Sequence, residues 1–297
     1  MSLQSIAVIG ASGQIGQALQ LAAANRHVPL ILAGRPDVDF DNGASLQAFF
    51  ATHRPALVIN AAAYTAVDKA ETEAQAARVA NCDGPAILAQ LCQSHGAALI
   101  QLSTDYVFDG AKRRPYIESD PCRSLNVYGA TKAAGEEAVR SALARHCIVR
   151  TAWVYSSAGQ NFLKTMLRLG AERDVLRVVA DQHGSPTCAD DIAHALLDLA
   201  PRLMDENDRA AVWGTFHLTA SGETTWYGFA EEIFRLAHRA GRRVPRLEAI
   251  SIAEYPAPAE RPKYSVLDTS KFSDTFGLKL PQWPLSLAAC FERLQNM

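Results

Sequence analysis

The chain is 297 residues long, 48% apolar and 20% charged, with a formal net charge of −2. This is a globular composition, long enough for one large or two modest domains, and not that of a disordered segment. Neither a nucleic-acid patch nor a membrane span is expected: Lys112-Arg113-Arg114 is short and followed by Pro115, and the longest apolar stretch, Ala56 to Ala63, is interrupted by Asn60 and is far too short to cross a bilayer.

The first strand is predicted over Ser5–Ile9. It follows Met1 so closely that a basic n-region, an apolar h-region and a cleavage site do not fit, and a cytoplasmic location is the expectation. A glycine turn comes next, Gly10, Gly13 and Gly16 in G-x-x-G-x-x-G spacing, and opens a helix over Gln14–Asn25. Glycine there allows a tight turn and lets backbone approach a pyrophosphate, with the helix N-terminus aimed at the anion. A strand over Val28–Leu32 runs on to Gly34-Arg35. At this strand end an acid accepts from a ribose 2′-hydroxyl, whereas an arginine accommodates a 2′-phosphate. Arg35 therefore favours NADP(H), and the nearby Asp37 and Asp39 leave NADH possible.

A helix over Ala44–His53 leads to a strand over Ala56–Ile59, then Asn60-Ala-Ala-Ala63-Tyr64-Thr65. Helix follows over Ala66–His95, expected in two pieces broken near Gly84-Pro85. A strand over Ala98–Leu102 ends in Ser103-Thr104-Asp105; a helix over Ser124–Arg145 and a strand over Cys147–Val149 complete the first half. Alternation of this kind means βαβ crossovers and a parallel sheet covered on both faces. The fold class expected is α/β, with residues 1–150 a doubly wound, Rossmann-like dinucleotide-binding domain.

Past Arg150 the rhythm is irregular. Helices are predicted over Asn161–Arg173, Cys188–Leu203 and Thr225–Gly241, strands over Leu176–Val179 and Thr215–Thr219. A tail from Arg246 carries Pro256, Pro258 and Pro262 before an amphipathic end, Leu285–Leu294. Residues 151–297 are expected to form a smaller, mixed α/β substrate-binding region, intertwined with the first and partly returning to its sheet.

The chemistry centres on Tyr128 and Lys132, four residues apart and so on one helix face. An ammonium beside a phenol favours the phenolate and lowers its pKa, making the tyrosine a usable proton donor and acceptor. Ser103, Thr104 and Asp105 end a parallel strand, where ligands of such sheets bind. Six cysteines form no C-x-x-C and eight histidines no H-E-x-x-H; free thiols and no metal are expected.

With these residues in place the chain resembles the extended short-chain dehydrogenase/reductase superfamily, and within it the dTDP-4-dehydrorhamnose reductase family. The resemblance runs essentially end to end. It rests on the segments Gly10–Gly16, Asn60–Glu71, Ser103–Gly110, Asn126–Lys132, Arg150–Tyr155 and Asp181–Thr187. It implies hydride transfer from NADPH to C4 of dTDP-4-dehydro-6-deoxy-L-mannose, giving dTDP-L-rhamnose for cell-envelope polysaccharides such as lipopolysaccharide. Tyr128 would protonate the forming alkoxide, Lys132 bind the nicotinamide ribose and tune Tyr128, and Thr104 orient the substrate oxygen. Thr104, Asp105 and Trp153 match the family's sugar-nucleotide contacts. Gly13, Gln14, Ile15, Asp39, Phe40, Ala63, Tyr64 and Thr65 match its cofactor contacts, and Arg261 falls where such enzymes often hold a diphosphate. A nucleotide sugar and a homodimer partner are compatible with this. Two departures stand out. Gly34-Arg35 replaces the acid of several relatives, which speaks against NADH. Gln17 and Ala18 stand where some members have a glutamate associated with magnesium at a dimer contact, which speaks against that metal. Two alternatives stay open: an epimerase or dehydratase on nucleotide sugars, and a non-catalytic subunit like the regulatory one of methionine adenosyltransferase.

Overall fold

The computed structural model describes residues 5–205 and 210–296. Its centre is a six-stranded sheet in which every neighbouring pair is parallel. The first five strands in chain order are β1 (Ile6–Ile9), β2 (Leu30–Ala33), β3 (Leu57–Asn60), β4 (Ala98–Thr104) and β5 (His146–Thr151). The sixth, Gly214–His217, comes from the second half of the chain and pairs with β5. Across the sheet the order is Gly214–His217, β5, β4, β3, β1, β2. Every residue of β1, β3, β4 and β5 is buried, as expected where crossover helices cover both faces.

The two faces have different covers. Helices Gln14–Asn25 and Ala189–Met204 pack on one, through Leu19, Ala22, Ile192 and Leu196. Helices Gly43–His53, Gly84–His95 and Val127–Ala142 cover the other, through Phe50, Leu88 and Val139. A third core lies within the second half, where Leu163, Met166, Leu176, Phe229, Ile233 and Phe291 meet. Among the described residues no helix is long and apolar enough to cross a membrane.

Three local expectations are corrected. Helix does not break at Gly84-Pro85. It pauses earlier, between Val67–Ala70 and Ala74–Arg78, and then runs on through a π turn, Val79–Asp83, into Gly84–His95. Pro85 lies in the first turn after that π turn. Gly84 instead makes room: a Cβ there would come within 2.3 Å of the Phe40 ring. The second correction is in the proline-rich tail, which contains a strand, Arg246–Ile250, paired in parallel with Val175–Val179. The third is a short helix, Ser270–Phe276, that buries Phe272 and Phe276 against Phe216 of the sixth strand.

Candidate active site

The glycine turn closes β1 against its neighbour. Gly10 has a positive φ of 84°, and a Cβ on it would sit 2.5 Å from the Ala62 backbone nitrogen. Gly16, in the first turn of the helix that follows, would drive a Cβ to 2.3 Å from the Gly10 carbonyl. Only glycine fits either place. No side chain caps the helix that begins at Gln14, so its N-terminal N–H groups are available to an anion. In front of the turn lies a cleft of about 580 Å³, lined by Gly10, Gly13, Gly34, Arg35, Phe40, Ala63 and Tyr64 among others. This cradle fits an extended dinucleotide.

Of the cofactor residues expected from sequence, Gly10, Gly13, Arg35, Phe40, Ala63 and Tyr64 line this cleft, and Gln14, Thr65 and Tyr128 line a neighbouring cavity instead. Ile15, Gly16, Asp39 and Lys132 line neither: Ile15 packs against the sheet core, and Gly16 lies behind the turn. Asp39 acts through Arg35, whose guanidinium reaches Asp39 and Asp41 at 3.2 Å each. Tyr64 is held by Asn81 of the π turn. The Asn81 side-chain oxygen accepts from the Tyr64 N–H at 2.9 Å, and its amide donates to the Tyr64 carbonyl at 3.1 Å and to Thr131 at 3.2 Å. Sequence reading passed over Asn81; its signal was an asparagine buried inside an otherwise alanine-rich helix.

Beyond the cleft, at the carboxyl ends of β4 and β5, is a second cavity of about 340 Å³. Gln14, Thr65, Thr104, Asp105, Tyr128 and Trp153 line it, with Trp226 and Asn161. Tyr128 is on the helix Val127–Ala142, which starts at Asn126: the Asn126 side chain accepts from the Gly129 N–H at 2.8 Å, capping the helix. Thr104 ends β4. Its hydroxyl donates to Asp105 at 3.1 Å and accepts from the Tyr106 N–H at 3.2 Å.

The electrostatics correct one expectation. Tyr128 is not lowered by Lys132. Burial pushes the phenol up to about 12; the neighbouring Thr104 hydroxyl lowers it and the Asp105 charge raises it, and Lys132 is not among the groups that move it. The ammonium of Lys132 is turned instead to the β4 backbone, donating to the Leu102 carbonyl at 2.7 Å. Burial pulls Lys132 itself down to about 8, against the opposing charge of Glu136. Burial likewise raises Asp105 to about 7, although Ser265, Thr104 and the Tyr106 N–H favour its ionised form. Its Oδ2 is buried without a hydrogen bond of normal geometry. A phenol this far above neutrality stays protonated, which suits a donor to a developing alkoxide.

Trp153 has φ of 47°, a conformation a bulky residue rarely adopts. It stacks on Trp226, ring centroids 3.6 Å apart and planes within 7°. Trp226 also borders a larger, more apolar cavity of about 700 Å³ between the helix Phe162–Glu172 and the paired strands Val175–Val179 and Arg246–Ile250. Arg261 lines that cavity too, and donates to Asp68 at 2.8 Å. The two cavities therefore share a wall. Sequence reading missed Trp226, since 73 residues separate it from Trp153 and only folding joins them. Gln14 joins the halves as well: its side-chain oxygen accepts from Ser156 at 3.1 Å and Asn161 at 2.9 Å.

Among the described residues one set of metal-type side chains comes together, Cys188, Asp190 and Cys290. It lies outside the walls of both clefts, and Arg293 already pairs with Asp190 at 3.0 Å.

A glycine-turn cleft opening onto a Thr–Tyr–Lys constellation is shared by many dinucleotide enzymes; the whole chain decides among them. The family model of the RmlD substrate binding domain matches residues 4–296. The chain belongs to that family. A relative in Sinorhizobium fredii, a dTDP-4-dehydrorhamnose reductase, is 45% identical over 278 residues, covering 94% of this chain and 93% of that protein. Among solved structures, a dTDP-4-dehydrorhamnose reductase of Clostridium acetobutylicum superposes with a TM-score of 0.91 at 39% identity, covering 98% of this chain and 99% of that one. One from Bacillus anthracis, solved in complex with NADP, gives 0.91 at 35% identity, with the same coverage. The glycine turn, Thr104, Tyr128 and Lys132 of this chain all lie within the stretch that the RmlD family model matches.

Proposed function

We propose that this member of the family reduces C4 of dTDP-4-dehydro-6-deoxy-L-mannose with NADPH, giving dTDP-L-rhamnose. The observation that carries the reading is the placement of Tyr128 and Thr104 on the floor of a sugar-sized cavity that adjoins the glycine-turn cleft. NADPH, when bound, supplies the hydride. The chain's residues do the rest. Gly10, Gly13 and the N-terminus of the helix at Gln14 receive the pyrophosphate, and Arg35 is the cation nearest the second strand end. Thr104 and Tyr128 hold the substrate oxygen between two hydroxyls, and the Tyr128 phenol passes its proton to that oxygen as it gains charge. Lys132 keeps a cation beneath the site. The Trp153–Trp226 stack gives the sugar an apolar wall at the border with the larger cavity, where Arg261 can meet the diphosphate.

In this reading residues 1–150 serve the cofactor and residues 151–297 the substrate, with Gly214–His217 returned to the shared sheet. Cytoplasmic action is part of the proposal, in keeping with six free thiols, and so is a homodimer, which light scattering would check. The test is NADPH oxidation with a panel of dTDP-4-keto sugars. Turnover with dTDP-4-dehydrorhamnose supports the reading. Tight NADPH binding with no turnover on any sugar would replace it with a non-catalytic role, and cofactor that stays bound through purification would point to an epimerase.

A further inference from the structure

The helix that carries Tyr128 and Lys132 continues the same face with Glu136 and Arg140. Glu136 is 1% exposed, a depth at which a carboxylate survives only if fully paired. It is paired on every side. The Ser103 hydroxyl donates to Oε1 at 2.6 Å; Arg150 donates through Nε to Oε1 at 2.8 Å and through Nη2 to Oε2 at 2.6 Å; Arg140 adds a bond to Oε2 at 3.3 Å. Arg150 in turn lies 5.0 Å over the Phe108 ring and meets Cys122 at 3.2 Å and His217 Nε2 at 3.4 Å. Arginine only donates, so Nε2 accepts and the His217 proton is on Nδ1, which faces the Tyr116 and Asp268 carbonyls.

Three turns of one helix thus grip three consecutive residues of β4. Tyr128 faces Thr104, Lys132 holds the Leu102 carbonyl and Glu136 holds the Ser103 hydroxyl. A buried ion pair is poor evidence for stability, since a hydrophobic replacement of both partners is often as stable. Here its location suggests another use: it is one helical turn from Lys132, beneath the cleft.

We propose that Glu136 is a positioning residue of this site, fixing the Tyr128 helix against the ends of β4 and β5 through Ser103 and Arg150 and setting a carboxylate one helical turn from the Lys132 ammonium. Burial works against that ammonium and Glu136 is the group that opposes it. The other charged or titratable groups around the network are Tyr128 and Arg140 on the same helix, Asp105 after β4, Arg150 on β5, His217 on the sixth strand, Glu118 and Cys122 on the loop before the Tyr128 helix and Cys82 on the π turn.

Only the kinetic arm of the test rests on the reductase reading. Lysine ε-¹³C NMR would follow Lys132 through a pH titration in the full chain, as wild type, Glu136→Gln and Glu136→Gln/Arg150→Gln. The double variant leaves neither buried charge unpaired and guards against simple unfolding. In the folded variants Lys132 should titrate about one pH unit or more below wild type. kcat/KM for NADPH-dependent reduction should then fall about five- to tenfold more at pH 9 than at pH 7. An unmoved lysine titration, a loss of rate equal at all pH values, or failure of both variants to fold would overturn the proposal and leave a purely structural ion pair. A wild-type chain without turnover would remove the reductase reading, and the NMR arm would still decide the role of Glu136.

Discussion

Asp105 is the group whose removal has the most calculable effect. It is 2% exposed, and burial raises its carboxyl from 3.8 to about 7. A folded-state pKa above the unfolded one means the native state binds the proton more tightly. That contribution to stability is complete below pH 3.8 and disappears as pH rises to about 7. At about 1.4 kcal/mol per pH unit, an interval of roughly three units makes about 4 kcal/mol in total. Of this, roughly 2 kcal/mol falls between pH 5 and pH 7. Asp105→Asn keeps the shape and cannot ionise. Its amide gains a constant cost of about 1–3 kcal/mol where Oδ2 had no full partner, but the pH-dependent part vanishes. Urea denaturation of both proteins at pH 5, 6, 7 and 8 should show the variant gaining about 2–3 kcal/mol on wild type between pH 5 and 7, with little further change at pH 8. The same variant should reduce the sugar substrate more slowly, since Asp105 is in the cavity wall beside Thr104. Two stability curves that stay parallel over this range would refute the reasoning, because they would mean that Asp105 ionises in the fold as easily as in the unfolded chain.

Three further outcomes follow from the geometry. Tyr128→Phe should lower kcat by about 10²–10⁴ with Tm and NADPH Kd nearly unchanged; a near-native kcat would remove Tyr128 from the mechanism. Arg35→Ala should weaken NADPH more than NADH, by about tenfold, the low end for a charge-assisted bond, because Asp39 and Asp41 already share the guanidinium; equal losses in the two dissociation constants would show that Arg35 does not read a 2′-phosphate. Gly84→Ala should displace Phe40 from the cofactor cleft, costing about 1–3 kcal/mol of overpacking and raising the NADPH Kd; calorimetry that finds both Tm and Kd unchanged would place Phe40 outside the binding surface.

Much of this was legible in the sequence because its causes are local. Apolar β-branched runs between helical patterns can only be buried strands with crossovers, and the sheet of five sequential strands followed from them. Glycines at Gly10 and Gly16, and a tyrosine and lysine one turn apart, have meanings set by backbone sterics and by 3.6 residues per turn. What escaped depends on distance through the chain. The strand Arg246–Ile250 lies in a small two-stranded pair, half exposed and followed by prolines, so its pattern is weak until Val175–Val179 supplies the partner. Gly84 reads as a break, and its purpose is visible only with Phe40 against it. Trp226 and Asn81 acquire roles through Trp153 and Tyr64, each from another element. The sign of the Tyr128 shift was misread for the same reason. Spacing puts Lys132 beside the phenol, but only the folded chain sets how deeply both are buried and gives the ammonium the Leu102 carbonyl as its partner. Residue type and spacing determine which groups share a helix face; desolvation and the competing partners that set their charge are properties of the packed interior.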